Sequence, residues 1–302
     1  MNWADSAILA AATLAAVNVI DSHLISKRLP SLGAFLLPVG VIALVWGLVV
    51  LFVSSWPEDV GASPILTAVA SGTIRGIGIL AFLYVMRTEE VSRVIPVVNI
   101  HPVFVAIMAV PLLDETLTFL EWIAIFITVI GAVLISTKSN GGRSRPWRLS
   151  KIVVLPFVAA LCLATANLTS KYAMDDISFW NMYAIGSISL ACVTLAVSAR
   201  PAVISALGGL ERPKSTMALL GFNEMLAPIG ALLLFWSIER GPVSLVSAIA
   251  GAQPVFVFVY AVVLSRMSSG VLLEQRMSKQ TLAMRLLAIA MIVGGITIIH
   301  LV

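Results

Sequence analysis

Ten apolar stretches, each close to the length that crosses a bilayer, take up nearly the whole chain. About 20 apolar residues span the roughly 30 Å hydrocarbon core as a helix. Most of this molecule therefore has lipid as its solvent. In lipid the backbone must satisfy its own polar groups, which leaves helices or a closed barrel. Runs of this length select helices. The chain is predicted to be an all-α integral membrane protein with ten transmembrane helices, at 6–26, 32–54, 64–86, 92–113, 117–137, 152–172, 178–199, 216–238, 243–264 and 283–302.

Of the 302 residues, 60% are hydrophobic and only 11% are charged, whereas soluble domains carry about 25% charged residues. That leaves no room for a soluble catalytic domain, and neither an enzyme nor a cofactor is expected. The net charge of +4 does not point to nucleic acid, because the basic residues sit at helix ends, where topology explains them. Cys162 and Cys192 fall inside apolar stretches and read as small packing residues. Met1-Asn2-Trp3-Ala4-Asp5 lacks a basic n-region, so no cleaved signal peptide is expected.

An internal repeat is visible. Pro102-Val103-Phe104-Val105 recurs 152 residues later as Pro254-Val255-Phe256-Val257, and Val91-Ser92 recurs as Val243-Ser244. Ser26-Lys27 matches Ser170-Lys171, and Ile130-Gly131 resembles Val293-Gly294. The expected units are residues 1–140, a basic linker at 141–150, and residues 151–302. Each repeat holds five helices. Five is odd, so the second copy must enter the membrane from the opposite side. Two inverted five-helix repeats are the architecture of many alternating-access transporters. A channel is the other option, but no ring-forming pore motif appears.

Lys and Arg divide unevenly between the two sides. One side carries sixteen, among them Lys27, Arg28, Lys138, Arg148, Arg200 and Arg212; the other carries only Lys171 and Arg240. Asp5, Glu58, Asp59, Asp114, Glu115, Asp175 and Asp176 gather on that second side. The positive-inside rule then places both termini outside the cytoplasm, in a multi-pass plasma-membrane protein.

The unit Val91-Ser92-Arg93-Val94-Ile95-Pro96, then Pro102, then Leu112-Leu113-Asp114-Glu115-Thr116-Leu117-Thr118 and Ile130-Gly131-Ala132-Val133-Leu134-Ile135, resembles the drug/metabolite transporter superfamily in its ten-helix EamA type. The usual family form after helix 4 is Leu-Gly-Glu-x-Leu-Thr, and Asp114 stands where that form has Gly. The second copy is less similar: Leu264-Ser265-Arg266-Met267 lacks the acidic residue. The resemblance implies export of amino acids or other metabolites, or movement of nucleotide sugars, drugs or sugars. Relatives of this type are drawn with both termini cytoplasmic, the reverse of what the charges here indicate.

Arg75 is the sharpest single residue, at the centre of the third span. A charge there costs about 2.5–3.5 kcal/mol on insertion scales, so it should face a partner or an aqueous cavity. Gly72 and Gly76 flank it at a spacing that admits a close neighbour. Glu224 in the eighth span is the complementary charge. The two form either a structural ion pair or a pair that a zwitterion splits, its carboxylate on Arg75 and its ammonium on Glu224. Pro96, Pro102 and Pro111 are expected to interrupt helix 4, and Pro254 helix 9. Asn99, His101 and Gln253 flank these prolines. Asp21 and His23 read as a solvated interfacial cluster with Lys27, and Glu115 as a cap for helix 5 or a partner of a loop cation.

The expectation is a secondary transporter exporting a small metabolite, such as an amino acid or related zwitterion. Its cavity would be lined by Arg75, Asn99, His101, Glu224 and Gln253. Protons are a candidate coupling ion, with Glu224 favoured over His101 as carrier. The partners are a small-molecule substrate and the lipid bilayer, with the chain as monomer or homodimer. One alternative is a lipophilic-cation or drug exporter; another is a non-transporting membrane protein or lipid-modifying enzyme. No P-loop, His-Glu-x-x-His or Gly-x-Ser-x-Gly motif is present, so nucleotide hydrolysis and those hydrolytic chemistries are not signalled.

Overall fold

The apolar stretches form helices because each segment must close its own backbone hydrogen bonds in hydrocarbon. The structure is a computed structural model, and it describes residues 2–56, 60–88, 91–136, 151–210, 212–267 and 279–301. Among these residues there is no strand. The basic linker 141–150 and part of the polar segment 265–281 lie outside them.

Helix α1 (Trp3–His23) runs into a π-helical turn, Leu24–Arg28. Helix α2 (Leu32–Val53) starts at Ser31, whose hydroxyl accepts from the Ala34 N–H at 3.1 Å. Helix α3 (Ala62–Thr88) is one long span. The fourth span is two pieces, α4 (Val91–Val98) and α5 (His101–Leu112). Helix α6 (Phe119–Ser136) completes the first half. The second half runs α7 (Lys151–Ala173), α8 (Phe179–Ser198), a short α9 (Pro201–Gly208) and α10 (Pro213–Arg240). It ends with α11 (Val243–Ala250), α12 (Gln253–Met267) and α13 (Lys279–Leu301). Ten spans are long and apolar enough to cross a membrane. Helix α9 lies in a connection with no predicted helix; Pro201 opens it, where the missing N–H costs nothing.

The outer surface fits lipid. Phe52 and Val53 are 85% and 81% exposed and Phe119 is 80% exposed, which is costly in water and neutral against acyl chains. The interior is built from small residues: Ala4, Ala7, Ala10, Ala11 and Ala15 line the packed face of α1. Helices pack closely in membranes where side chains are small.

Helices α2 and α8 pack together, as do α6 and α13. Helix α3 lies on α7, and α10 lies on α1. These are the pairings that a two-fold relation between the halves would require. Local contacts are reciprocal too. A Cβ on Gly131 of α6 would lie 2.8 Å from the Ala288 carbonyl oxygen, and one on Gly295 of α13 would lie 2.9 Å from that of Ala124. The sequence match had aligned Gly131 with Gly294; the contacts pair it with Gly295. One interface breaks the pattern: α3 packs broadly on α8, whereas α10 barely touches α2.

Candidate functional site

The two broken spans meet inside the bundle. The breaks fall at Asn99-Ile100 and at Gly251-Ala252, just before His101-Pro102 and Gln253-Pro254. Proline in the first turn of the following segment needs no donor, so the chain restarts there. Pro96 and Pro111 lie within α4 and α5 and do not interrupt them. A Cβ on Gly251 would lie 3.1 Å from Pro102 Cγ, so one break rests against the other. Turn hydrogen bonds re-pair part of the backbone at both breaks: the Ile100 N–H donates to the Val97 carbonyl oxygen at 3.3 Å and the Ala252 N–H to that of Ile249 at 3.0 Å.

Arg75 reaches from α3 into this region. Its Nη2 donates to Asn167 Oδ1 at 3.0 Å and to Ser170 Oγ at 3.4 Å. Its guanidinium lies over the Phe235 ring, 5.2 Å from the centroid. Asn167 in turn donates through Nδ2 to Ser247 Oγ at 3.2 Å, tying in α11. Ser71 and Ser170 are 2.8 Å apart beneath it. Arg75 Nε is buried without a hydrogen-bond partner, and among the described residues no carboxylate forms an ion pair with Arg75. The Nδ1 of His101 contacts the Val98 carbonyl oxygen at 3.2 Å.

Glu224 is elsewhere. It is 7% exposed and lies beside Asn223, which is fully buried. Asn223 Nδ2 donates to Asp21 Oδ1 at 2.6 Å and to Glu224 Oε1 at 3.4 Å. Phe235, on which Arg75 stacks, is eleven residues farther along α10. At 1.5 Å per residue that is about 16 Å of helix. The structural Arg75–Glu224 ion pair is therefore not formed. Asp21, read from sequence as a solvated group, instead joins α1 to α10 through Asn223.

The other candidates divide between these places. Gln253 Oε1 accepts from Asn18 Nδ2 at 2.8 Å. Asn99 donates to Ser136 Oγ at 3.0 Å, bracing the first break on α6. Sequence reasoning missed Asn167, Ser170 and Phe235 as neighbours of Arg75, and Ser247 behind Asn167. Serine and phenylalanine are ordinary in apolar spans, and nothing in their spacing marks them.

Glu115 also differs from expectation. It accepts from the Val243 and Ser244 backbone N–H groups and from the Ser244 hydroxyl. It thus caps α11, in the other half of the chain. Helix α6 is capped by its own box: Thr118 N donates to Glu121 Oε2 at 2.6 Å, and Glu121 N donates to Thr118 Oγ1 at 3.3 Å. Lys171 Nζ, on the same side of the bundle, donates to the Ile238, Glu239 and Gly241 carbonyl oxygens at 2.8, 3.1 and 3.2 Å.

Comparison with known proteins fits this architecture. A crystal structure described only as that of a protein superposes with a TM-score of 0.69 at 17% identity, covering 99% of this chain and 95% of that one. At that identity the likeness shows the fold alone. No curated protein gives a significant sequence match. Residues 2–137 match the model of the EamA-like transporter family. Over its first five helices this multi-pass membrane protein is therefore similar to the EamA-like transporter family.

Proposed function

We propose that the chain is a secondary transporter exporting a small metabolite that carries a carboxylate, amino acids and related zwitterions among them. The observation that carries this reading is Arg75: a guanidinium near the middle of its span with a buried, unpartnered Nε and, among the described residues, no acidic partner. A carboxylate is the natural complement of that fork. Asn167, Ser170 and Phe235 hold the guanidinium in place, which lowers the ordering cost of binding. His101, Asn99 and Gln253 stand at or beside the breaks and shape the rest of the cavity. The ammonium of a zwitterion is received by carbonyl oxygens at the ends of α4 and α11, the negative ends of those segments. Glu224 lies too far along α10 to share a small zwitterion with Arg75 in this conformation.

In this reading residues 1–140 and 151–302 are inverted repeats joined by the 141–150 linker. They rock about the contact between the two breaks. The sixteen-to-two division of Lys and Arg supports a plasma-membrane protein with extracytoplasmic termini. Export is the direction that the family resemblance implies. The reciprocal helix contacts support a monomer as the working unit, since both halves are already present. A second reading, a lipophilic-cation exporter, draws on Asp21 and Glu224.

The test is a thermal-shift screen of detergent-purified protein against amino acids, other carboxylates and lipophilic cations. A ligand at a hundred times its Kd adds about 2.7 kcal/mol. Stabilisation by a carboxylate or zwitterion that disappears in Arg75→Ala supports the assignment. Stabilisation by cations alone, retained in Arg75→Ala, overturns it in favour of the second reading.

A further inference from the structure

We infer that Asp21, Asn223 and Glu224 form a proton-binding site separate from the Arg75 site. Two carboxylates from different helices converge on one amide. Asn223 Nδ2 is the shared donor, at 2.6 Å from Asp21 and 3.4 Å from Glu224. Asn223 Oδ1, on the same amide group, is buried with no hydrogen-bond partner. A buried acceptor is left unsatisfied only at a cost. An ionised carboxylate has no hydrogen to offer it, but a carboxylic acid does. One proton added to an oxygen of Asp21 or Glu224 supplies the missing donor. It also removes one of two like charges that meet in a low-dielectric interior.

The surroundings provide no cationic side chain to do this instead. Among the described residues, none donates to either carboxylate. Helix α8 contributes Tyr183, which lies within electrostatic reach of Glu224. Helix α12 contributes Tyr260, whose hydroxyl is engaged with the Ala12 carbonyl oxygen at 3.1 Å. On α1 itself His23 accepts from Arg28 Nε at 3.3 Å, and Lys27 lies on the following turn. The amide donor facing the carboxylates does not suit a metal cation, which repels N–H groups and needs a shell of oxygens.

The proton would enter from the end of α1 nearest Asp21. Immediately after His23 the chain widens into the π turn Leu24–Arg28. A pocket of about 220 Å³, lined by Ile25, Ser26, Leu29, Ser31, Leu32 and Met86, lies at this end of the bundle. Its lining residues Ile25 and Ser26 begin one turn beyond Asp21 along the same helix. The proton comes from water on this side, binds a carboxylate oxygen and leaves by the same bond.

This deepens the transporter reading and rests on it only for the role of the proton in coupling. The test is infrared spectroscopy of the full chain in lipid nanodiscs, followed across pH. The wild type is expected to show a protonated-carboxyl band at neutral pH that vanishes in alkali and shifts in D2O. Glu224→Gln and Asp21→Asn are each expected to lose it at neutral pH, and Arg75→Ala to keep it. Absence of the band in the folded wild type overturns the inference, as does its survival in both carboxyl variants. Loss of the band on replacing choline with sodium would put a sodium ion in the proton's place and also overturn it. A failed ligand screen leaves the band untouched, so the two readings fail separately.

Discussion

Glu115 of the first half accepts a hydrogen bond from the backbone N–H of Ser244, in the second half, at 3.3 Å. The acidic residue of the family-like motif therefore works across the repeat boundary. The corresponding stretch of the second copy, Ser265-Arg266-Met267, has no acid. Loss of a helix cap costs about 0.5–2 kcal/mol. Glu115→Ala is expected to lower the Tm accordingly, and Glu115→Gln to lower it less because one acceptor remains. Differential scanning fluorimetry of the three proteins checks this, and an unchanged Tm for Glu115→Ala would refute the cap.

Arg75 is predicted to need its shape as well as its charge. Lysine keeps the charge but loses the planar fork. One charge-assisted hydrogen bond is worth about 1.5–3 kcal/mol, which is tenfold or more in Kd. Arg75→Lys should weaken a carboxylate ligand by at least that factor while the protein still folds. Asn167→Ala, which frees the guanidinium, should weaken it as well. Calorimetric titration with the ligand from the stability screen measures both, and equal Kd values for Arg75→Lys and wild type would remove the fork from the argument.

Gly72 and Gly221 make opposite predictions. A Cβ on Gly72 would lie 2.5 Å from the Gly186 carbonyl oxygen and 2.7 Å from its Cα. Both are backbone atoms, so α3 and α8 must separate. Overpacking of this kind costs about 1–3 kcal/mol. Around Gly221 nothing lies within 4 Å of a Cβ, and alanine there gains up to about 1 kcal/mol of helix propensity. Gly72→Ala should lower the Tm, and Gly221→Ala should hold or raise it. A matching response of the two would mean that the close contact is not limiting.

Asp114 has φ of 52°, in the left-handed region that glycine enters freely. The family form has glycine at this position, which is the physical content of that motif position. Aspartate tolerates the conformation better than most residues. Asp114→Gly should leave stability level or higher. Asp114→Val should cost about 1–2 kcal/mol, read as a lower unfolding midpoint; equal midpoints would mean that the turn relaxes.

The ten spans were legible because lipid leaves a chain few choices, and hydrophobic length reports them directly. The breaks at His101-Pro102 and Gln253-Pro254 were legible from the proline repeat, but Pro96 and Pro111 raised the same signal and their helices continue. Proline marks a lost donor, and only the neighbours decide whether the helix survives the loss. The close approach at Gly72 could be foreseen from Gly-x-x-x-Gly spacing; its partner Gly186 could not.

The sequence by itself determined the solvent and the number of spans, since each depends on composition and order along the chain. Only the tertiary structure decided which polar groups meet. Arg75 and Glu224 look like partners on charge alone, yet packing sends one to Asn167 and Ser170 and the other to Asn223 beside Asp21. Hydrogen bonds act over about 3 Å, and a helix covers that distance in two residues. Small differences in register therefore choose the partners, and register is set by all the packed faces together.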